Sequence, residues 1–264
     1  MGIDTNIADY DWTAALAALA WQAELGVTEV MVEDAIDRYA LPDKQEPVLA
    51  KAKPAAPVVH EVAKPDGVQA AKDAAGICGD LAALRAALAT FEHCELKKGA
   101  RDLVFCDGNS HAGLMVIGDA PGRDDVVASK PFMGAAGQLL DKMLAAIGLA
   151  RGNEDAATSA YLTNVLPWRP PGDRDATDEE IAMMQPFLAR HITLVKPRVV
   201  IAMGNTACAA LLGQGSVARL RGTWAHAEGV PVMPMTHPTD LLRNPAAKRE
   251  AWADLLAVQA RSPK

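Results

Sequence analysis

Short apolar runs alternate with amphipathic stretches through the C-terminal two thirds of the chain. "LMVIGD" (114–119), "AYLTNV" (160–165), "RVVIAMG" (198–204) and "VPVMPMT" (230–236) are strand-length, apolar and bounded by polar or turn residues, and each reads as a buried strand. Between them the apolar positions recur at helical spacing in "GAAGQLLDKMLAAIGL" (134–149), "DEEIAMMQPFLARHITLV" (178–195) and "NTACAALLG" (205–213). "GDLAALRAALATFEHC" (79–94) leads in as a helix and "NPAAKREAWADLLAVQA" (244–260) closes the chain as another. Strands alternating with helices, with apolar runs too continuous for a half-exposed sheet, predict an α/β fold: a three-layer α/β/α sandwich around a central, largely parallel sheet. The acidic start of 178–195 suits the positive end of a helix dipole.

The first 75 residues have a different texture. Residues 1–41 contain helical patterns, and residues 42–66 hold five prolines among Ala, Lys and Val, a composition that builds no packed core. The expected organisation is a helical extension (1–41), a Pro/Ala/Lys-rich linker (42–75) and a catalytic domain (76–264). The extension is either a helical pair docked on the domain or a module for a protein partner. Charge follows the same division. The chain carries a formal net charge of −7, and residues 1–75, with 6 basic and 13 acidic side chains, account for all of it. Residues 161–264 carry 12 basic and 9 acidic side chains, so the total charge does not describe the main domain's surface. No apolar run approaches the ~20 residues that span a membrane, and the acidic N-terminus lacks the basic start of a secretory signal. Four cysteines without a Cys-x-x-Cys pair fit reduced, buried thiols and a cytoplasmic setting.

In a parallel α/β sheet ligands bind outside the carboxyl ends of the strands. Three of the strands deliver a polar residue there: Asp119, Asn164 and His237. "GDAPGRDD" (118–125) follows the first as a tight turn that brings backbone amides, those of Gly118 and Ala120 among them, near a ligand; alone this is ordinary loop punctuation. Phe132 sits between Pro131 and Gly134 in a loop, where it either stacks on a flat ring or staples the following helix. Asn164 offers the donor and acceptor that read an amide-like edge. "RPPGDRD" (169–175) is a basic loop that lies against phosphates or is a solvated turn. "THPTDLLRNP" (236–245) reads as a loop, with Leu241 and Leu242 either a small satellite cluster of the core or a pair presented to a partner.

The order "GDAPG", "KPFMGAAGQLLD", "YLTNVLPWRPPGDRD", "VVIAMGNTACAALLG", "RLRGTW" and "THPTDLLRNPAAKREAW" resembles the family 4 uracil-DNA glycosylases, from about Cys94 to Leu256. The resemblance implies an enzyme that flips uracil out of DNA and hydrolyses its N-glycosidic bond, initiating base excision repair. It implies that Asp119 helps to place the attacking water, that Asp125 lies near C5 of the base, and that Phe132 stacks on uracil. Asn164 would read the base edge, His237 would donate to uracil O2, Leu241 and Leu242 would fill the space left by the extruded nucleotide, and Arg243 would hold a flanking phosphate. The implied partner is DNA containing uracil or a related lesion, met by a monomer in the cytoplasm at the bacterial nucleoid, with no membrane involved. The competing readings are a sensor that binds uracil or abasic DNA without cleaving it, and an unrelated α/β nucleotide hydrolase.

The chain departs from that family at its iron–sulfur cluster. Of the four cysteine positions only Cys94 is kept; Phe91, Trp168 and Met184 occupy the other three. Iron–sulfur ligation needs thiolates or the occasional histidine, so the expectation is a chain with no cofactor and no metal, its cluster replaced by a hydrophobic plug. Asp119 and Asp125 are each one methylene shorter than the glutamate implied at their positions.

Overall fold

The computed structural model describes Trp21, residues 67–100 and residues 102–261. The helical extension and the proline-rich stretch 42–66 lie outside the described residues, Trp21 apart. The linker expected over 42–75 ends earlier than its composition suggested. Gly67–Gly76 is a helix, with Ala71 and Ala75 buried against the helix Asp178–Val195. Its alanines look like linker in one dimension, but small side chains let two helices approach closely.

Six strands form one sheet: β1 (Cys106–Gly108), β2 (Leu114–Gly118), β3 (Ala160–Asn164), β4 (Val199–Met203), β5 (Ala225–Ala227) and β6 (Val230–Met235), in the order β1-β3-β2-β4-β6-β5. The four apolar runs are the central strands β3, β2, β4 and β6, and their mutual pairings are parallel. The short edges β1 and β5 pair antiparallel. They were not legible in the sequence, because three-residue edge strands carry no period to detect.

Side chains alternate across the sheet as a strand's twofold period requires. Met115, Ile117, Tyr161, Val200, Ala202 and Val232 enter a core shared with the helices Gly67–Gly76, Leu81–Thr90, Asp178–Val195 and Asn205–Leu212. Leu114, Val116, Leu162, Ile201, Met203 and Met233 enter a second core shared with the helices Gly134–Ala146 and Lys248–Arg261. This is the expected three-layer sandwich.

Local signals set the helix ends. Asp80 accepts from the Ala83 amide at 2.7 Å, and Thr177 and Glu180 form a reciprocal capping box at the start of Asp178–Val195. The segment 236–245, expected as a loop, is instead a short helix, Pro238–Arg243, capped by His237. A second short helix, Arg123–Ala128, follows the "GDAPG" turn.

The register aligns the strand ends. Gly118 pairs with Asn164, and Met203 with Met235. From β2 the chain moves to β3 on one side, then crosses to β4 on the other. The carboxyl ends of β2 and β4 therefore flank a topological switch point, where the connections diverge and open a crevice.

Candidate active site

Asp119 leaves β2 at this crevice. Its Oδ1 accepts a hydrogen bond from the Ala207 amide at 2.8 Å, and the Thr206 amide also stabilises the carboxylate. Both amides belong to the first turn of the helix Asn205–Leu212, whose dipole favours a negative charge there. Burial works against the charge and dominates, so the Asp119 pKa is raised to about 6. The approach is so close that a Cβ at residue 204 would lie 2.1 Å from Asp119 Oδ2; Gly204 also has φ +103°. Only glycine meets both conditions. Gly204, Thr206 and Ala207 are site residues that the sequence reading passed over. The visible signal was the strand-Gly-helix boundary "AMGNT", which reads equally well as an ordinary turn.

Asn164 ends β3 beside Gly118, where a Cβ would meet Asn164 Oδ1 and Phe132 Cζ, each at 2.5 Å. Gly118 thus serves by lacking a side chain. Asn164 is 8 % exposed, and its Nδ2 is buried with no hydrogen-bond partner among the described residues. A buried donor without a partner is costly to fold, and such groups in native proteins call for a ligand or another function.

His237 follows β6 and caps the helix Pro238–Arg243. Its Nδ1 accepts from the Thr239 amide at 3.2 Å, which leaves the ring proton on Nε2. Burial lowers its pKa to about 4, the nearby Asp240 opposing. At neutral pH the side chain is a neutral imidazole with one N–H to donate. Its ring lies 5.7 Å from that of Phe132, centroid to centroid, at 24°.

Phe132 is buried, belongs to the second core and also lines the cleft. Both oxygens of Asp125 are engaged: Oδ2 accepts from the Gly122 amide at 2.9 Å and Oδ1 from the Met133 amide at 2.6 Å. The shorter acid ties the "GDAPG" turn to the Phe132 loop while still lining the cleft where the resemblance places C5 of the base. Asp119, Ala120, Asp125, Phe132, Asn164, His237, Leu242 and Arg243 all line one cleft of about 750 Å³.

The leucine pair divides. Leu241 is 1 % exposed and sits in the second core, whereas Leu242 is 44 % exposed and faces the cleft. Consecutive residues of a helix point about 100° apart, so one short helix cannot present both. Of the two leucines named for the wedge, only Leu242 is exposed at the cleft; Leu241 is part of the second core rather than of a small satellite cluster. Arg243 is open, 3.7 Å from Asp240 at its nearest approach. The arginines of "RPPGDRD" are less free than their number suggests. Arg169 forks onto Asp173 at 2.6 Å through two nitrogens, and Arg174 onto Glu180 at 2.6 and 2.9 Å. Both charges are matched within the loop and its neighbouring helix.

Cys94, Phe91, Trp168 and Met184 are all buried, at 0, 6, 3 and 1 % exposure, in one hydrophobic cluster, where Phe91 packs edge-on against Phe187 with ring centroids 5.1 Å apart. One thiol among three apolar side chains does not fit a cluster that needs four thiolates. Burial raises the Cys94 pKa, which disfavours even that thiolate. No group of three or more His, Cys, Asp or Glu that could hold a metal ion occurs among the described residues.

A type-4 uracil-DNA glycosylase of Archaeoglobus fulgidus is 36 % identical over 174 residues, 62 % of this chain and 84 % of the relative. One from Pyrobaculum aerophilum is 33 % identical over 186 residues, 67 % of this chain and 91 % of the relative, and one from Thermotoga maritima is 34 % identical over 156 residues, 57 and 77 %. The family model for the uracil DNA glycosylase superfamily matches residues 105–256, which spans β2, β3, β4, β6 and every cleft residue described above, and the chain belongs to that superfamily.

Proposed function

We propose that the protein excises uracil from DNA by hydrolysing the N-glycosidic bond, as its relatives' type-4 uracil-DNA glycosylase names describe. The observation that carries this reading is the convergence on one cleft of a helix-capped carboxylate, a buried amide with an unpartnered donor, and a neutral histidine. Uracil presents an N3–H beside a C4 carbonyl. Asn164 can donate from Nδ2 to that carbonyl and accept the N3 proton at Oδ1. Phe132 supplies the face of a ring, and the base rests on it once it is out of the stack.

Cleavage places positive charge on the sugar and negative charge on the departing base. His237 Nε2–H is a neutral donor for the developing charge on O2, so it stabilises the transition state more than the ground state. Ionised Asp119 stabilises the oxocarbenium-like sugar and orients the water that adds to C1′, as carboxylates do in glycoside hydrolysis. The proton of that water leaves to solvent or to the departing uracil anion. Leu242 occupies the space from which the nucleotide was drawn, and Arg243 meets an adjacent phosphate. The domain works without an iron–sulfur cluster, because Phe91, Trp168 and Met184 fill the region that cysteine ligands would occupy. The expected result is a colourless protein without stoichiometric iron after anaerobic purification; four irons per chain with absorbance near 400 nm would contradict it.

The test of activity is incubation with single- and double-stranded oligonucleotides containing one uracil, then alkaline cleavage and assay of free base. Excision of uracil is expected, with Asp119→Asn and His237→Ala strongly impaired. Tight binding of the uracil strand with no released base would instead support the sensor. An intact Asp119, held against a helix N-terminus at the expense of its burial, favours the hydrolase.

A further inference from the structure

Phe132 does not hold its conformation unaided. Its φ is +54°, a left-handed value that a residue with a bulky side chain rarely adopts, and Ser129 and Gly134 on either side of the turn also have positive φ, +51° and +46°. A loop of this kind relaxes unless its surroundings over-determine it.

We propose that Arg151, which lies outside the cleft, is the positioning residue that sets the Phe132 ring for stacking on the base. Its Nη2 donates to Phe132 O at 2.9 Å and its Nη1 to Pro131 O at 3.1 Å, so one guanidinium grips two successive carbonyls of the turn. The guanidinium is itself aimed by two acids. Nε donates to Asp141 Oδ1 at 2.7 Å, on the helix that follows the turn, and Nη1 lies 3.2 Å from Asp107 Oδ2 on the edge strand β1. Asp107 also takes Lys130 Nζ at 3.0 Å, which ties the start of the turn to the same anchor. The Arg151 side chain is only 15 % exposed.

From the opposite side Asp125 holds the Met133 amide. Beneath, Gly137 lets the Phe132 carbonyl settle against the helix: a Cβ there would lie 1.7 Å from that oxygen. The turn is therefore held by the Arg151 fork, the Lys130–Asp107 pair, the Asp125–Met133 bond and the Gly137 contact, and Arg151 connects it to both the edge strand and the following helix. A lysine cannot substitute, since a single ammonium lacks the planar fork that meets two carbonyls and two carboxylates at once.

The inference rests on the reading of Phe132 as the base-stacking residue, and the experiment separates the two. Single-turnover cleavage of a single-stranded uracil oligonucleotide over a range of enzyme concentrations, inhibition by free uracil, and thermal unfolding are measured for four variants: Phe132→Ala, Arg151→Met, Arg151→Lys and the Phe132→Ala/Arg151→Met pair. Loss of base stacking in Phe132→Ala is expected to cost roughly 5- to 150-fold. Arg151→Met and Arg151→Lys should each weaken uracil inhibition and raise the half-saturating concentration about tenfold, as part of that same stacking loss, while the rate at saturation changes less. The double variant should lose no more than Phe132→Ala, because Arg151 acts through the ring. Losses that multiply in the double variant, rescue by Arg151→Lys, or a fall in unfolding temperature with unchanged uracil inhibition would each overturn the proposal. Wild-type behaviour of Phe132→Ala would remove the stacking reading itself and this inference with it. Should the Arg151 variants fail to fold, Asp141→Asn loosens the clamp at its half-exposed partner. It should weaken uracil inhibition about threefold, the scale of one partly exposed ion pair, and no effect there would refute the clamp.

Discussion

Truncating the two adjacent leucines should produce opposite phenotypes. Leu241 is 1 % exposed and packs in the core beneath the helix Pro238–Arg243, so Leu241→Ala leaves a cavity among large apolar neighbours. Buried Leu→Ala changes cost ~2–5 kcal/mol. For a domain of this size each kcal/mol lowers the unfolding temperature by about 2–4 °C, so the fall should be roughly 4–20 °C. Its activity at a temperature where it remains folded should drop similarly on every substrate, because the helix that carries His237 and Leu242 is loosened as a unit. Leu242 is 44 % exposed at the cleft. Its truncation should change stability by less than about 1 kcal/mol, as surface substitutions do, but under the proposed function it removes the side chain that replaces the extruded nucleotide. Unstacking costs a few kcal/mol per step in duplex and far less in a single strand. Leu242→Ala should therefore cleave single-stranded uracil nearly as well as wild type, lose activity in a U·G mismatch, and lose most in a U·A pair. Single-turnover rates on the three substrates, with thermal unfolding of both variants, check this. Selective loss of duplex cleavage by a Leu241→Ala protein of undiminished stability, or equal loss on all three substrates by Leu242→Ala, would refute the division.

Three further outcomes are expected. With the Asp119 pKa raised to about 6 and the ionised form active, the single-turnover rate should rise about tenfold per pH unit below 6 and level off above it. His237, at about 4, stays neutral across that range; a flat profile from pH 5 to 8 would exclude Asp119 as the titrating group. Removing the single donor in His237→Ala should lower the rate ~10²- to 10³-fold with a much smaller effect on binding of a uracil-containing strand, measured by comparing both at saturating enzyme. Gly204→Ala forces a methyl to within 2.1 Å of Asp119 Oδ2 in a left-handed backbone; it should displace the carboxylate, shift the acid limb of the pH profile and depress the rate, while Ala→Gly at exposed Ala253 leaves both unchanged.

The central strands and long helices were legible in one dimension because they carry strong periods, and their alternation with strand ends at Asp119, Asn164 and His237 was enough to anticipate a three-layer fold and to locate the cleft. Motif order also pointed to residues that line it, Asp119, Phe132, Asn164 and His237 among them. Everything decided by direction and by partner was invisible. The apolar pattern marks Leu241 and Leu242 alike, yet a helix turns them 100° apart and buries one. A carboxylate at 125 has the same letter whether its oxygens face a ligand or two backbone amides 2.9 and 2.6 Å away. Arg169 and Arg174 count as positive charge until the folded loop and the helix after it match each to an acid. Gly204 and Arg151 stand apart in sequence from the residues they serve, Asp119 and Phe132, and no periodicity or local motif records a contact made by the sheet's crossover. Sequence determines the elements and the chemistry available at their ends; which atoms are already spent on the protein itself is settled only when the chain is folded, because hydrogen bonds and close packing are made between segments that the sequence keeps far apart.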